Sequence, residues 1–384
     1  MNIELDTLSC MGCHACVSVC PQKCITMHED KLGFLRPSIE KDTCIGCGRC
    51  VKACNQVKRI PSIAERKIYA AKHKDKTVKE NSSSGGVFSA ISNVVFKNGG
   101  VVVGAVYNEQ MQVEHVFAQT PEECKRMRGS KYTYSICDET VFIRIKELLS
   151  NNRIVLFTGT PCQVSALKVY LGKDYDNLLT VDILCHGIFA PAIYKDYICQ
   201  IQNENDPINF INFRHYTDDW HTPITQVTYK SGKKRQGERE NAYFKMFVSD
   251  YCLRESCYKC TFASFNRVSD ITLGDFWGIE KSHSEFDAPD GVSVVIVNTV
   301  KGENWFKSAS IDLVTLNCNE KDCLHDQLNG LKPNGRKQEF VADYERYGYK
   351  YVVNKYTRAT FSIRLKTYLK GFKCVRKALA LIKK

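Results

Sequence analysis

Two stretches near the start of the chain carry four thiols each in one arrangement: Cys10-x-x-Cys13-x-x-Cys16-x-x-x-Cys20-Pro21 and Cys44-x-x-Cys47-x-x-Cys50-x-x-x-Cys54. Two-residue gaps let three thiolates wrap one face of a cubane, and a fourth thiol three residues on completes a set for a [4Fe–4S] cluster. Paired C-x-x-C segments also hold zinc, but zinc sites rarely add a third thiol after another two-residue gap, and here the whole pattern occurs twice. The chemistry is one-electron transfer. In the two-cluster arrangement the fourth thiol of each run crosses over. Cys10, Cys13, Cys16 and Cys54 are therefore assigned to one cluster, and Cys44, Cys47, Cys50 and Cys20 to the other. Gly12, Ala15, Gly46 and Gly48 give the backbone room to turn. Cys24 is extra and reads as a small core residue.

Two later segments have the composition of ligand loops. Asn81-Ser-Ser-Ser-Gly-Gly86 precedes an apolar run, so its backbone N–H groups form either an anion cradle or a plain capped loop. It is neither a dinucleotide fingerprint nor a Walker loop. Phe157-Thr-Gly-Thr-Pro-Cys162-Gln follows an expected strand and precedes an expected helix, where α/β proteins set ligands. Cys162 stands at the mouth of that helix, where a thiolate is electrostatically favoured.

Alternating strands and helices must position these loops. Strands are expected at residues 25–27, 34–39, 67–72, 101–107, 154–157, 178–184, 271–274 and 292–297. Helices are expected at 87–96, 162–170 and 191–200, and 208–215 with 224–229 reads as an antiparallel pair. The fold class is thus mixed α+β and α/β: a ferredoxin-like two-cluster module at 1–62, an α/β core with a mixed sheet at 65–330, and a helical extension at 331–384. From Lys355 to Lys384 the chain is basic, with Phe361, Leu365, Leu369, Phe372, Leu379 and Ile382 at helical spacing. Such a helix packs on the core, docks on an acidic protein, or makes peripheral contact with a membrane surface.

A chain of 384 residues with 43% apolar and 25% charged residues can build a full hydrophobic core. No run of 18 uncharged apolar residues occurs, so no membrane span is expected. Thiolate-bound iron needs a reducing compartment, and a cytoplasmic location is expected. The formal charge of +12 overstates the real one, because three bound clusters would bring it to about +6. No recognition motif accompanies the basic residues, and no nucleic-acid partner is expected.

The N-terminal part of the chain, with both thiol runs, resembles bacterial two-cluster ferredoxins. The segments Asn81–Gly86, Arg128-Gly-Ser-Lys-Tyr132, Thr158-Gly-Thr-Pro-Cys-Gln163, Asp182-Ile-Leu-Cys-His-Gly187, Cys257-Tyr-Lys-Cys260 and Asp270-Ile-Thr-Leu-Gly-Asp-Phe-Trp-Gly278, in this order, resemble the family of beta subunits of coenzyme F420 hydrogenases and dehydrogenases. That coenzyme is a deazaflavin hydride carrier. The resemblance implies a bound FAD with an iron–sulfur cluster beside it. It implies that Ser82, Ser83, Ser84, Gly85 and Gly86 meet the flavin phosphates, that Gly129, Ser130 and Lys131 form a loop near the flavin, and that Thr158, Gly159 and Thr160 pack their backbone against it. Lys131 either stabilises charge on a reduced isoalloxazine or only pairs a phosphate or carboxylate. Asp275 either orients a site loop or caps a turn. His186 is either a proton donor or a hydrogen-bonded structural histidine.

For a third [4Fe–4S] cluster the expected ligands are Cys162, Cys185, Cys257 and Cys260, with Cys252 the rival for one place. Cys124, Cys137, Cys199, Cys318, Cys323 and Cys374 lack ligand spacing and read as packing residues. The function expected is that of an iron–sulfur flavoprotein oxidoreductase, in which FAD exchanges two electrons with a small-molecule redox substrate and the clusters exchange single electrons with a ferredoxin or another electron-transfer protein. The alternative is a non-catalytic electron-transfer adaptor that delivers electrons to a partner reductase.

Overall fold

The thiol runs flank a short antiparallel pair, β1 (Ile25–Glu29) and β2 (Leu35–Ile39), in which Ile25 faces Ile39. The computed structural model describes residues 9–54, 66–216, 219–323 and 325–357. The expected module–core junction at 62–65, Cys374 and the basic tail from 358 onward lie outside these residues.

The core strands are β3 (Lys67–His73), β4 (Val101–Tyr107), β5 (Val113–Ala118), β6 (Ser135–Ile136), β7 (Val155–Gly159) and β8 (Leu178–Ile183). After them come β9 (Ile208–His215), β10 (Ile224–Tyr229), β11 (Lys234–Gln236), β12 (Ile271–Asp275), β13 (Ser293–Val297) and β14 (Leu313–Cys318). Nine of them form one sheet in the order β14-β3-β13-β12-β8-β7-β4-β5-β6. The central run β12-β8-β7-β4 is parallel, while β13, β3 and β14 join it antiparallel. The sheet is mixed, as expected, and β9–β11 form a separate antiparallel sheet.

Both faces of the large sheet are covered, which is why its central strands read as continuous apolar runs. Along β7, Val155 and Phe157 pack under helices Glu139–Ser150 and Pro161–Leu171, whereas Leu156 faces helices Val87–Lys97 and Val300–Ala309. Ala15 of the module joins the first of these layers, and Phe34 joins the aromatic cluster around β9 and β10. Helix Lys337–Tyr356 buries Phe340 and Val352 in that same cluster.

Because β4, β7, β8 and β12 run parallel, their carboxyl ends open on one edge. There the chain leaves β7 into Thr160–Cys162, β8 into Leu184–His186, and β12 into Phe276–Gly278. The carboxyl edge of an open parallel sheet is where such folds place ligands.

Candidate functional site

In the module, the first thiol run turns at Gly12, whose φ of +67° and lack of a side chain are both required: a Cβ there would lie 2.8 Å from Arg254 Nη2. Gly12 N donates to Cys10 Sγ at 3.2 Å. Burial raises the thiols of Cys10, Cys13 and Cys16, that of Cys16 to about 12, and neighbouring thiols add to it. Cys16 faces Cys10 and Cys54, and Cys13 faces Cys162 before Cys10 and Cys16. Burial also raises Cys50, which faces Cys47 and Cys20, and Cys44 packs in the same group. Thiols crowded together out of water resist ionisation, and a cationic iron core is a partner that reverses this. Cys24 is buried, as expected, but its sulfur lies only 3.5 Å from Cys20 Sγ.

A cavity of about 410 Å³ lies at the carboxyl edge of the large sheet. Ser82, Ser83, Ser84 and Gly86 line one side, Gly129, Ser130 and Lys131 another, and Thr158, Gly159 and Thr160 a third. Cys13, Cys162 and Cys185 also reach its wall. Gly85 does not: it packs against β3 and β13, where a Cβ would meet Ala71 O at 2.2 Å. The serine loop leads into helix Val87–Lys97 through Gly86, at φ +81°. Ser82 and Ser84 donate to Val78 O and Val292 O, while Ser83 Oγ accepts from Ser130 N at 2.7 Å and joins the two loops.

Lys131 Nζ donates to the carbonyls of Met127, Arg128 and Gly129 at 3.0–3.2 Å. Burial, with Arg126 adding to it, holds its pKa down to about 7. Neither a carboxylate nor an external phosphate is needed to fix this side chain. Asp275 pairs with Arg214 (3.0 Å), and both residues line the cavity. Burial raises the Asp275 carboxyl, and Arg214 opposes that rise. His186 accepts from Gln327 at Nδ1 (2.9 Å), which leaves Nε2–H to donate to Asp250 (2.6 Å).

Thr160 caps helix Pro161–Leu171 through a reciprocal pair with Gln163, with Pro161 in the first turn. Its hydroxyl lies 3.1 Å from Cys162 Sγ. The helix mouth was expected to favour a Cys162 thiolate, yet burial outweighs it and pushes the thiol up to about 11. Burial likewise raises Cys185 and Cys257, and each then faces Cys162 and Cys260. Cys162, Cys185, Cys257 and Cys260 are thus linked through their mutual electrostatic influence. Cys252 is turned into the aromatic cluster, and burial followed by Lys337, Asp30 and Glu255 governs its thiol.

The model for the N-terminal part of the coenzyme F420 hydrogenase/dehydrogenase beta subunit matches residues 68–141, and that for the C-terminal part matches residues 152–320. The chain belongs to this family of beta subunits. A 4Fe-4S dicluster domain matches residues 9–57. One subunit of the F420H2 dehydrogenase of Methanosarcina mazei is 26% identical over 279 residues, 71% of this chain and 68% of that protein. An uncharacterized protein of Methanocaldococcus jannaschii is 23% identical over 345 residues, 79% of this chain and 87% of its own. The F420-reducing [NiFe] hydrogenase complex of Methanosarcina barkeri contains a chain with 18% identity and a TM-score of 0.45, covering 74% of this chain and 93% of that one. As a member of the family with a dicluster domain, this chain is an iron–sulfur oxidoreductase in the electron-transfer sense. No helix among the described residues is long and apolar enough to cross a membrane.

In this family member several cavity residues carry no motif. Arg214, in β9, is 5% exposed and lies 4.9 Å over Trp277, and its Nε has no hydrogen-bond partner among the described residues. A charged residue inside the apolar strand Ile208–His215 was the available signal. His115 donates from Nε2 to Thr158 O (3.0 Å) and accepts from Ser135 Oγ at Nδ1 (2.8 Å), and burial lowers its pKa to about 4. It is a neutral wall. Cys199, read as a packing residue, is exposed. Elsewhere, His283, Cys318 and Asp322 bring donor atoms within 4.8 Å of one another. There Asp322 accepts from Asn319 N at 2.8 Å and faces His283 Nε2 at 3.4 Å, closing the turn after β14.

Proposed function

We propose that the chain is an iron–sulfur flavoprotein oxidoreductase that passes electrons between a ferredoxin-type carrier and a two-electron substrate, or a deazaflavin-like carrier, through FAD and three [4Fe–4S] clusters. One observation carries this reading. The cavity is lined both by the serine and Gly-Ser-Lys loops and by Cys13 and Cys162, thiols from two cluster sets. Its size lies in the range of small-molecule and cofactor sites.

The residues present fit a flavin nucleotide. The loop Ser82–Gly86 at the start of a helix suits a phosphate. Arg214 Nε is a buried donor with no hydrogen-bond partner among the described residues, and an anionic ring edge or phosphate would satisfy it. FAD, when bound, supplies the exchange between two-electron and one-electron transfer. Around it, Lys131 places a proton-bearing amine with a pKa of about 7 in the wall, and His115 contributes an uncharged one. Cys13 and Cys162 border the cavity, and Cys47 with Ile45, 63% exposed, lies at the surface of the module. That order suits a conduit whose outer end meets a protein partner.

The test is anaerobic purification followed by visible spectroscopy and metal analysis. Flavin bands over a cluster shoulder, with about twelve irons per chain, are expected for three cubanes. A shoulder without flavin would favour the electron-transfer adaptor with no chemistry of its own. About eight irons would remove the core cluster.

A further inference from the structure

Arg254 stands where module and core meet, and it is 1% exposed. Its Nη1 donates to the carbonyls of Cys10 at 3.1 Å and Leu35 at 3.0 Å, and its guanidinium lies 4.9 Å over the Phe34 ring. It also caps the short helix Glu255–Tyr258, which carries Cys257, and from the same turn Ser256 Oγ donates to Cys10 O at 3.1 Å. One turn of chain thus grips the first thiol of the module and presents a thiol of the core set.

The guanidinium is more than a clasp. Nε and Nη2 are buried without hydrogen-bond partners among the described residues, and no carboxylate is among its hydrogen-bond partners there. A buried, uncompensated cation is costly, and a neutral donor would serve for docking alone. Nη2 is the atom that crowds Gly12, the residue whose N–H already points at Cys10 Sγ. Arg254 is bonded to Cys10 through Nη1, and its own carbonyl accepts from the N–H of Cys257 at 2.9 Å, so one residue adjoins a thiol-bearing residue on each side. These thiols come from two different sets.

We propose that Arg254 is a positioning residue shared by the two clusters nearest the cavity, and that its charge raises the reduction potential of both. This rests on the three-cluster reading above. Each reduced cluster holds one more negative charge than the oxidised one, so a fixed cation nearby favours the reduced form. The two unpartnered donors are suited to sulfur, and N–H groups directed at cluster sulfur act in the same direction. The outer cluster, held by Cys20, Cys44, Cys47 and Cys50, gains nothing from it.

The experiment is an EPR-monitored redox titration of the anaerobic holoprotein and of its Arg254→Gln, Arg254→Lys and Ser256→Ala variants. In Arg254→Gln two midpoints are expected to move negative while the third stays. Arg254→Lys keeps the charge and should lie nearer the wild type. Ser256→Ala removes a docking bond without changing charge and should move none. Unchanged midpoints in Arg254→Gln, a common shift of every cluster, or equal shifts in the Lys and Gln variants would overturn the proposal. If Arg254→Gln loses iron, Arg254→Lys decides: wild-type midpoints support the charge and a negative shift refutes it. Iron analysis of the wild type separates the two ideas. About eight irons would remove the core cluster, and the inner module cluster alone would then decide the role of Arg254.

Discussion

The hydroxyl of Tyr134 donates to the carbonyl oxygen of Gly12 at 3.1 Å. Tyr134 belongs to the cavity wall and Gly12 lies between the first two thiols of the module, so the bond joins the two parts of the protein at the point where electrons would cross. Burial raises the phenol's pKa, so it remains a donor at neutral pH. Tyr134→Phe should cost about 1 kcal/mol of stability while leaving the iron content unchanged. Melting of the anaerobic holoprotein, with iron counted before and after, measures both.

Cys185 and Cys257 each feel the charge of Cys162 and Cys260, whereas Cys252 is governed by burial and by Lys337. Cys257→Ser and Cys260→Ser should each lower the iron content by about four atoms, whereas Cys252→Ser should retain it. Loss of iron in Cys252→Ser would restore that residue as a ligand.

Lys131 has a pKa of about 7 in the folded protein against 10.5 in the unfolded chain. Between these values the unfolded state binds more protons, so stability from this group rises with pH; the penalty of the buried ammonium is complete below about 7. Relative to Lys131→Met, the wild type should therefore gain stability from pH 7 to 10, by up to about 1.4 kcal/mol per pH unit. Melting temperatures of both proteins across that range test it, and parallel curves would refute it.

Arg267 Nη2 meets Asp182 Oδ1 at 3.1 Å beneath the sheet edge, and both side chains are buried. Arg267 also donates to Ile183 O at 2.9 Å and to Phe262 O at 2.6 Å. Arg267→Met strands a buried carboxylate and should destabilise the protein by about 3–5 kcal/mol. Denaturant midpoints read this directly, and a double Arg267→Met, Asp182→Leu variant should recover part of the loss.

Both ring nitrogens of His186 are committed, one to Asp250 and one to Gln327. Removing a general acid costs about a hundredfold or more in rate. His186→Gln should fall far short of that in stopped-flow reduction of the holoprotein.

Much of the fold was legible because the period of the apolar residues was clear. The antiparallel pair at 208–215 and 224–229 and the strand 101–107 lie within the bounds expected. Helix Glu139–Ser150 and strand β5 were not foreseen. The helix does carry a clean apolar face of Val141, Phe142, Ile145 and Leu149, but no motif marks it, while Val113–Ala118 sets the polar His115 at a buried position. The two N-terminal cysteine runs were legible from spacing alone, and the serine, Gly-Ser-Lys and Thr-Gly-Thr loops from their order. Arg254 and His115 were not, because nothing local distinguishes such a buried arginine or histidine from an exposed one, and for Arg214 the apolar strand around it was the sole local sign. Only the approach of β9, of the turn before Cys257 and of β5 to the same edge gives them their surroundings.

Cys13 forms part of the cavity wall, and the loop that carries it is pinned to the core by Tyr134, Arg254 and Ser256. The small module and the chamber of the core thereby share one wall. Displacement of that loop would open the chamber, so damage to the small module would be felt as leakage in the large one.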